Sequence, residues 1–314
     1  MPGSSSRQTR AEFVRHRNGD RSPAVPELIE GAAVSAEGPR ISILIPTADG
    51  RRHGYLPQLL EDIQGQSYQN IETLVLVGDT RQGRALNYGA ELARGEYILT
   101  FDDDSRLGTP DVIATLVKAL EENPDVGMAG CENRLPGNAG WFVRRLMFEV
   151  PRRSSPPVNE ITDSDLAEHP CLMMRKTAFY QVGGEHEIIP RGLDPYLRRE
   201  FRNAGHRVVI VPGIWIHHLP PPSLRLALRQ FYRNGRMSAL VSRSFPDLAL
   251  DNALSHGNVE IRAQSRLYRA LRHGMRMLVA FASLRWIYLA TATAYGLGVL
   301  VETFTGRSEH HTSA

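Results

Sequence analysis

The chain has 314 residues, 42% of them hydrophobic, so it can bury a substantial core in one large domain or one domain with appendages. Lys and Arg total 37 against 34 Asp and Glu, a formal net charge of +3, which excludes the general polycation expected of a nucleic-acid binder. The two cysteines, Cys131 and Cys171, form neither a CxxC pair nor a Cys/His cluster, so no disulfide framework or structural zinc is expected and a reducing cytosol fits.

Residues 1–38 are rich in Ser, Arg, Gly and Pro, lack the apolar core of a signal peptide and are expected to form a mobile arm. From residue 40 short β-branched runs alternate with helical patterns. ISILIP (41–46), IETLVLV (71–77) and EYILTF (96–101) read as buried strands, separated by the helices LPQLLEDIQGQ and GRALNYGAELARG. Thr109 is expected to cap the next helix with Pro110 at its first position, and VGMAG (126–130) is a fourth strand. HPCLMMRKTAFYQVGG holds a strand and a short helix, DPYLRREFRNAGH a helix, and RVVIVP (207–212) a strand. Ser223 opens a long helix, and the pattern stays helical to the C-terminal end.

Near that end, residues 277–301 are the most apolar stretch, but Arg285 interrupts it and leaves each clean run short of the ~20 residues a spanning helix needs. Behind the basic RLYRALRHGMR it reads as an element lying on a membrane surface, across residues 263–304, or as a helix packed on its own domain or a second copy. Strand–helix alternation implies a mostly parallel α/β sheet with helices on its faces, and ligands gather at the carboxyl ends of such strands. Thr47, Asp79 and the run Asp102, Asp103, Asp104 all lie there. Alternate residues leaving a strand project to one side, so Asp102 and Asp104 can share a divalent cation, Mg²⁺ or Mn²⁺, while Asp103 points elsewhere. Aspartates that merely solubilise a turn are the plain alternative.

Residues 40–235 resemble a family 2 glycosyltransferase of the GT-A fold, through ILIPT, GRALNYGAELARGEYILTFDDD, KTAFYQVGG, GLDPYLRREFRNAGHRVVIVP and an aromatic–His pair, in the family's order. The resemblance implies a GT-A catalytic domain over residues 39–220 and a helical region over 221–314. It implies an inverting transfer from a nucleotide-diphosphate sugar (UDP-, GDP- or dTDP-linked) to a hydroxyl acceptor, a glycan or a lipid-linked molecule. Asp102 and Asp104 correspond to the metal-binding DxD. Asp194 corresponds to the aspartate of the Glu-Asp motif and to the general base, with Leu197 at plus three and Ala204-Gly205 at plus ten and eleven, although Leu193 replaces the Glu. The plain alternative for Asp194 is a helix cap ahead of Pro195. His218, six residues after Pro212, corresponds to a third metal ligand, with His217 as fallback. Pro46, Thr47, Asp79, Arg84, Asn87 and Asp103 are candidates for donor binding. Gln230 and Arg233, in a partial Gln-x-x-Arg motif with Asn234 where Trp would stand, read first as a solvated basic face of the long helix and, if functional, as candidates for the acceptor and the diphosphate. The loop after the second strand, VLVGDTRQG, departs from the family's Asp-Asp-Gly-Ser pattern and leaves the base unassigned. A non-catalytic scaffold on the same fold and a sugar-phosphate nucleotidylyltransferase are the rival readings. The expected location is cytoplasmic, at the inner face of the cell membrane.

Overall fold

In a computed structural model of the protein, residues 12–15, 38–150, 155–249, 256–257 and 265–305 are described. Within the stretch expected as an arm, β1 (Glu12–Arg15) forms a strand; residues 1–11 and 16–37 lie outside the described residues. The following units are β2 (Ile41–Thr47), α1 (Tyr55–Gln64), β3 (Ile71–Val77), α2 (Gln82–Leu92), β4 (Tyr97–Thr100), β5 (Ser105–Leu107), α3 (Val112–Glu122) and β6 (Val126–Asn133). Then come α4 (Trp141–Glu149), β7 (Thr162–Asp163), β8 (Leu172–Arg175), α5 (Lys176–Gln181), α6 (Leu193–Asn203) and β9 (Arg207–His218). The last helices are α7 (Leu224–Ser244), α8 (Arg266–Ala282) and α9 (Trp286–Thr305).

The sheet runs β1-β3-β2-β4-β8-β6-β9-β5, with β7 paired to β9. Strands β1, β2, β3, β4, β6 and β9 point one way and β5, β7 and β8 the other, so the expected mostly parallel sheet is present with reversed strands inserted. Period-2 alternation divides the core. Ile41, Ile43 and Ile45 of β2 pack with Leu56 and Leu59 of α1 and Leu116 and Leu120 of α3, while Leu44 faces Leu86 of α2, Phe179 of α5 and Phe201 of α6. This is a three-layer α/β fold, with a helical region built from α4, α7, α8 and α9 at the C-terminal side.

Three local expectations are corrected. The helix expected to start at Thr109-Pro110 starts at Val112, because the Gln66 side chain accepts a hydrogen bond from Ile113 N (3.2 Å) and supplies the cap from another segment. Helix α6 is capped by Gly192 in the left-handed region (φ 90°), so Asp194 lies inside the first turn and not at the cap. Strand β9 continues past Pro212 to His218, because Gly213 (φ 79°) permits a bulge at which the pairing with β6 jumps from Ile210–Gly130 to Trp215–Glu132. Ser223 caps α7 as expected, accepting from Leu226 N.

The apolar C-terminal stretch also divides differently. Arg285 lies in the turn between α8 and α9, where Leu284 has φ 53°, so the apolar run restarts cleanly at Trp286 and its helix reaches Thr305, past the expected end of the stretch. Helix α9, with 20 residues and a mean hydropathy of 1.3, is long and apolar enough to cross a membrane, by length and composition alone. It crosses α7 at a pair of glycines: a Cβ at Gly235 would overlap the Tyr295 carbonyl, and one at Gly298 the Tyr232 carbonyl. Its ends are held by Glu149, which accepts from Tyr288 N (3.0 Å), and by Glu302, which pairs with Arg236 (2.9 Å) and Arg243 (3.4 Å).

Candidate active site

Strand β4 is buried along its length and ends at Thr100, and the chain then turns through Asp102, Asp103 and Asp104 into β5. Because β5 pairs antiparallel with the end of β9, Ser105 lies opposite His218, and this register carries the imidazole to the acidic turn. His218 Nε2 stands 3.2 Å from Asp104 Oδ1 and 3.8 Å from Asp102 Oδ2. One ligand atom from each of the three lies within 4.8 Å of the others. His217, one residue earlier, turns away and meets the Arg134 carbonyl at 2.7 Å.

Burial pushes the Asp102 carboxyl up to about 6, with the charge of Asp104 adding to the effect and His218 opposing it. Burial acts upward on Asp104 too, but the hydrogen bond and charge of His218, together with the Arg52 guanidinium, outweigh it and hold this carboxyl below the usual range. Two neighbouring carboxylates therefore differ in proton affinity because their partners differ.

Arg52 reaches Asp104 Oδ2 at 2.8 Å and Asp103 Oδ1 at 3.3 Å from a left-handed backbone position (φ 44°), which is unusual for a residue with a side chain. Sequence reasoning did not single it out; its only signal is the run of polar residues after the first strand. Thr47, at the end of β2, also hydrogen-bonds to Asp103, so these two donor-site candidates come together. Pro46 precedes Thr47 beyond the last β2–β4 pair, where a missing N–H removes no ladder bond. Gln82, the first residue of α2, bonds to Asp102 Oδ1 at 3.1 Å and was also missed. Asp79 is buried, accepting from Arg81 N (2.9 Å) and pairing with Arg84. Asn87 faces the 184–187 turn, donating to the Glu185 carbonyl (2.9 Å) and accepting from Glu185 N (2.8 Å), so it anchors that turn.

Asp194 Oδ1 accepts from His169 N at 2.8 Å and lies 2.6 Å from His169 Nδ1. The other ring nitrogen of His169 lies 2.6 Å from Glu185 Oε1. Burial pulls His169 down, yet the charges of Glu185 and Asp194 and the two hydrogen bonds raise it well above its ordinary value. Burial acts upward on Asp194, and the charge and hydrogen bonds of His169, with the Arg198 guanidinium, reverse this and hold the carboxyl well below the usual range. The charges of Asp194 and His169 also act on Asp102, so the candidate base and the metal-ligand candidates share one electrostatic site. Neither His169 nor Glu185 was foreseen, since nothing in HPCLMM or VGGEHE marks them. On α7, Arg233 is exposed and the buried Gln230 Oε1 has no hydrogen-bond partner among the described residues. No hydrogen bond among the described residues joins either to the aspartates.

The sequence model of glycosyl transferase family 2 matches residues 44–183, from the middle of β2 through α5. The match spans less than half of the chain, and the likeness to the family applies to these residues. The match carries Asp102 and Asp104 but ends before His218, which pairs with them, and before Asp194, whose charge acts on Asp102. The chain is 26% identical over 117 residues to a glucosyl-dolichyl phosphate glucuronosyltransferase of Haloferax volcanii, covering 29% of this chain and 37% of that protein, so it spans little more than a third of that relative's length. Among solved structures it resembles the mannosyltransferase PcManGT from Pyrobaculum calidifontis in complex with GDP-Man and Mn²⁺, with a TM-score of 0.53 and 14% identity over 85% of this chain and 87% of the other. That likeness is one of fold, and it agrees with the GT-A arrangement of sheet and helices.

Proposed function

We propose that this protein is a glycosyltransferase that moves a sugar from a nucleotide-diphosphate donor to a hydroxyl acceptor with inversion, with Asp194 as general base and Asp102, Asp104 and His218 holding a divalent cation. The observation that carries the reading is the convergence of two carboxylates and an imidazole from separate strands beside a further, ionised carboxylate. The donor set fits a cation: its ligand atoms lie within 4.8 Å of one another, and the mix of carboxylate oxygen with imidazole nitrogen favours Mn²⁺ over Mg²⁺. When bound there, the ion supplies neutralisation of the charge that develops on the departing diphosphate.

The chain's own residues do the rest. Asp194 is ionised at neutral pH and takes the proton of the attacking hydroxyl, which is otherwise a weak nucleophile. Pro46, Thr47 and Asp103 line the donor side, with Arg52 supplying a guanidinium for phosphate oxygens. Asp79 and Arg84 are assigned to the nucleoside, and Asn87 holds the 184–187 turn. Gln230, with its unpaired buried oxygen, and Arg233 are assigned to the acceptor or the diphosphate. The donor is a UDP-, GDP- or dTDP-sugar.

A lipid-linked acceptor is favoured by the outer surface of α8 and α9. Leu267, Leu271, Met275, Leu278 and Phe281 on α8 are exposed beside Arg272 and Arg276, and Trp286, Leu297, Leu300 and Phe304 are exposed on α9. No acidic residue occurs between Arg266 and Val301, so the surface suits anionic headgroups and supports a peripheral position at the cytoplasmic face of a membrane as our reading. The Haloferax volcanii relative, a glucosyl-dolichyl phosphate glucuronosyltransferase, points the same way. The test is nucleotide release with Mn²⁺ across a panel of nucleotide sugars, with and without polyprenyl-phosphate acceptors. Asp194→Asn is expected to retain donor affinity and lose about 10²-fold or more in turnover; equal loss of donor binding would overturn the assignment of the base.

A further inference from the structure

Behind Asp194 lies a polar group that neither the donor site nor the metal cluster uses. His169 is 3% exposed in its side chain and Glu185 0%, and each ring nitrogen of His169 meets a different carboxylate. Glu185 is itself fixed: Asn87 bonds both its N–H and its carbonyl, and the preceding Gly184 (φ 73°) packs so closely that an added Cβ would lie 2.6 Å from Asn87 Oδ1. Asp194 is 30% exposed, and its Oδ2 makes no hydrogen bond among the described residues, whereas Oδ1 takes two from His169. Unlike the rest of the buried pairs, this one ends on the residue assigned to proton transfer.

We propose that Glu185 and His169 are positioning residues that clamp one oxygen of Asp194 and so present the other to the acceptor hydroxyl. The inference rests on the reading of Asp194 as base. A general base must hold a lone pair within hydrogen-bond reach of the proton it takes, and a carboxylate free to rotate about its last bond spends much of its time misaligned. The bidentate grip of the His169 backbone and ring on Oδ1 removes that freedom. Glu185 prevents the ring from turning and supplies the negative charge that keeps it protonated. The charged groups facing Asp194 are His169 from the segment before β8, Arg198 one turn along α6, and Asp102 across the site. With two cations against one anion, Asp194 stays ionised well into acid.

The test is the kinetics and pH profile of His169→Ala, His169→Gln and Glu185→Gln, each confirmed folded by thermal melting. His169→Ala is expected to lower kcat by about 10²-fold with the donor KM unchanged. It is expected to move the acid limb of kcat/KM upward by about 1–3 pH units, since Asp194 loses its neighbouring cation. His169→Gln, which keeps an N–H donor but no charge, is expected to recover part of kcat while leaving the acid limb displaced. In Glu185→Gln, ¹⁵N spectra of labelled histidine are expected to show the His169 titration moved to lower pH than in the native protein; if His169→Ala does not fold, this variant and His169→Gln carry the test. Native kcat and an unmoved acid limb in Glu185→Gln and both His169 variants, with Asp194→Asn inactive, would overturn the clamp and leave the base standing. Turnover surviving in Asp194→Asn would instead remove the base reading itself.

Discussion

The crossing of α7 and α9 allows a comparison of two glycines on one helix. At Gly298 an added methyl would overlap the Tyr232 carbonyl oxygen and stand 3.0 Å from the Arg236 nitrogen; both are backbone atoms, which cannot swing aside as a side chain can. At Gly296, one half-turn earlier, the nearest atom is His273 Nε2 at 3.7 Å, an ordinary contact. Replacing either by Ala gains the same helix propensity, about 1 kcal/mol, so the difference between the variants isolates the clash. Overpacking costs about 1–3 kcal/mol, and the upper half of that range applies where two helix backbones must separate. Gly298→Ala should therefore fall about 2–3 kcal/mol below Gly296→Ala in unfolding free energy, and Gly296→Ala should equal or exceed the native chain. Urea unfolding followed by the fluorescence of Trp286, at the start of α9, reads both. Equal midpoints for the two variants would refute the close approach of the helices.

Asp104→Ala should weaken Mn²⁺ binding, measured by electron paramagnetic resonance of the free ion, by more than the ~10–100-fold that loss of an outer partner causes, because it removes a ligand. Stability should carry the imprint of the His169 clamp. His169 is raised, so its contribution is complete below its unfolded value of 6.5 and fades as pH rises through the folded one; Asp194 is lowered, so its contribution is complete above 3.8 and fades as pH falls. The stability gap between native protein and His169→Gln, from denaturant melts, should thus be widest between those two values and narrow on either side. Finally, the protein should sediment with vesicles containing anionic lipid, and Leu271→Glu combined with Leu278→Glu should release it to the supernatant. Binding that is indifferent to both lipid charge and these substitutions would speak against a membrane-facing α8.

Much of the parallel half of the sheet could be read in advance because buried strands such as ISILIP and IETLVLV carry uninterrupted β-branched runs and the helices between them show clear apolar stripes. The acidic turn was legible for a related reason: three like charges at the end of a buried strand conflict with the local pattern. Strands β5 and β7 are three and two residues long and are set by pairing with β9, so no local period could mark them. The cap of α3 comes from Gln66, distant in sequence, and no rule based on neighbours could find it. Arg52, Gln82, His169 and Glu185 were missed because their roles arise from what the topology sets beside them. Helix α9 was underestimated because Arg285 was counted inside the apolar run, whereas a left-handed residue just before it ends the preceding helix.

The irregularity at Gly213 decides more than the length of one strand. Side chains alternate along an extended chain, so whichever of two adjacent imidazoles meets the aspartates depends on the register that the chain resumes after the bulge between Ile210 and Trp215. A one-residue slip of the pairing downstream of the bulge would exchange the histidines while every rung upstream kept its neighbour, making this short detour a vernier by which the centre can be retuned and the scaffold left untouched.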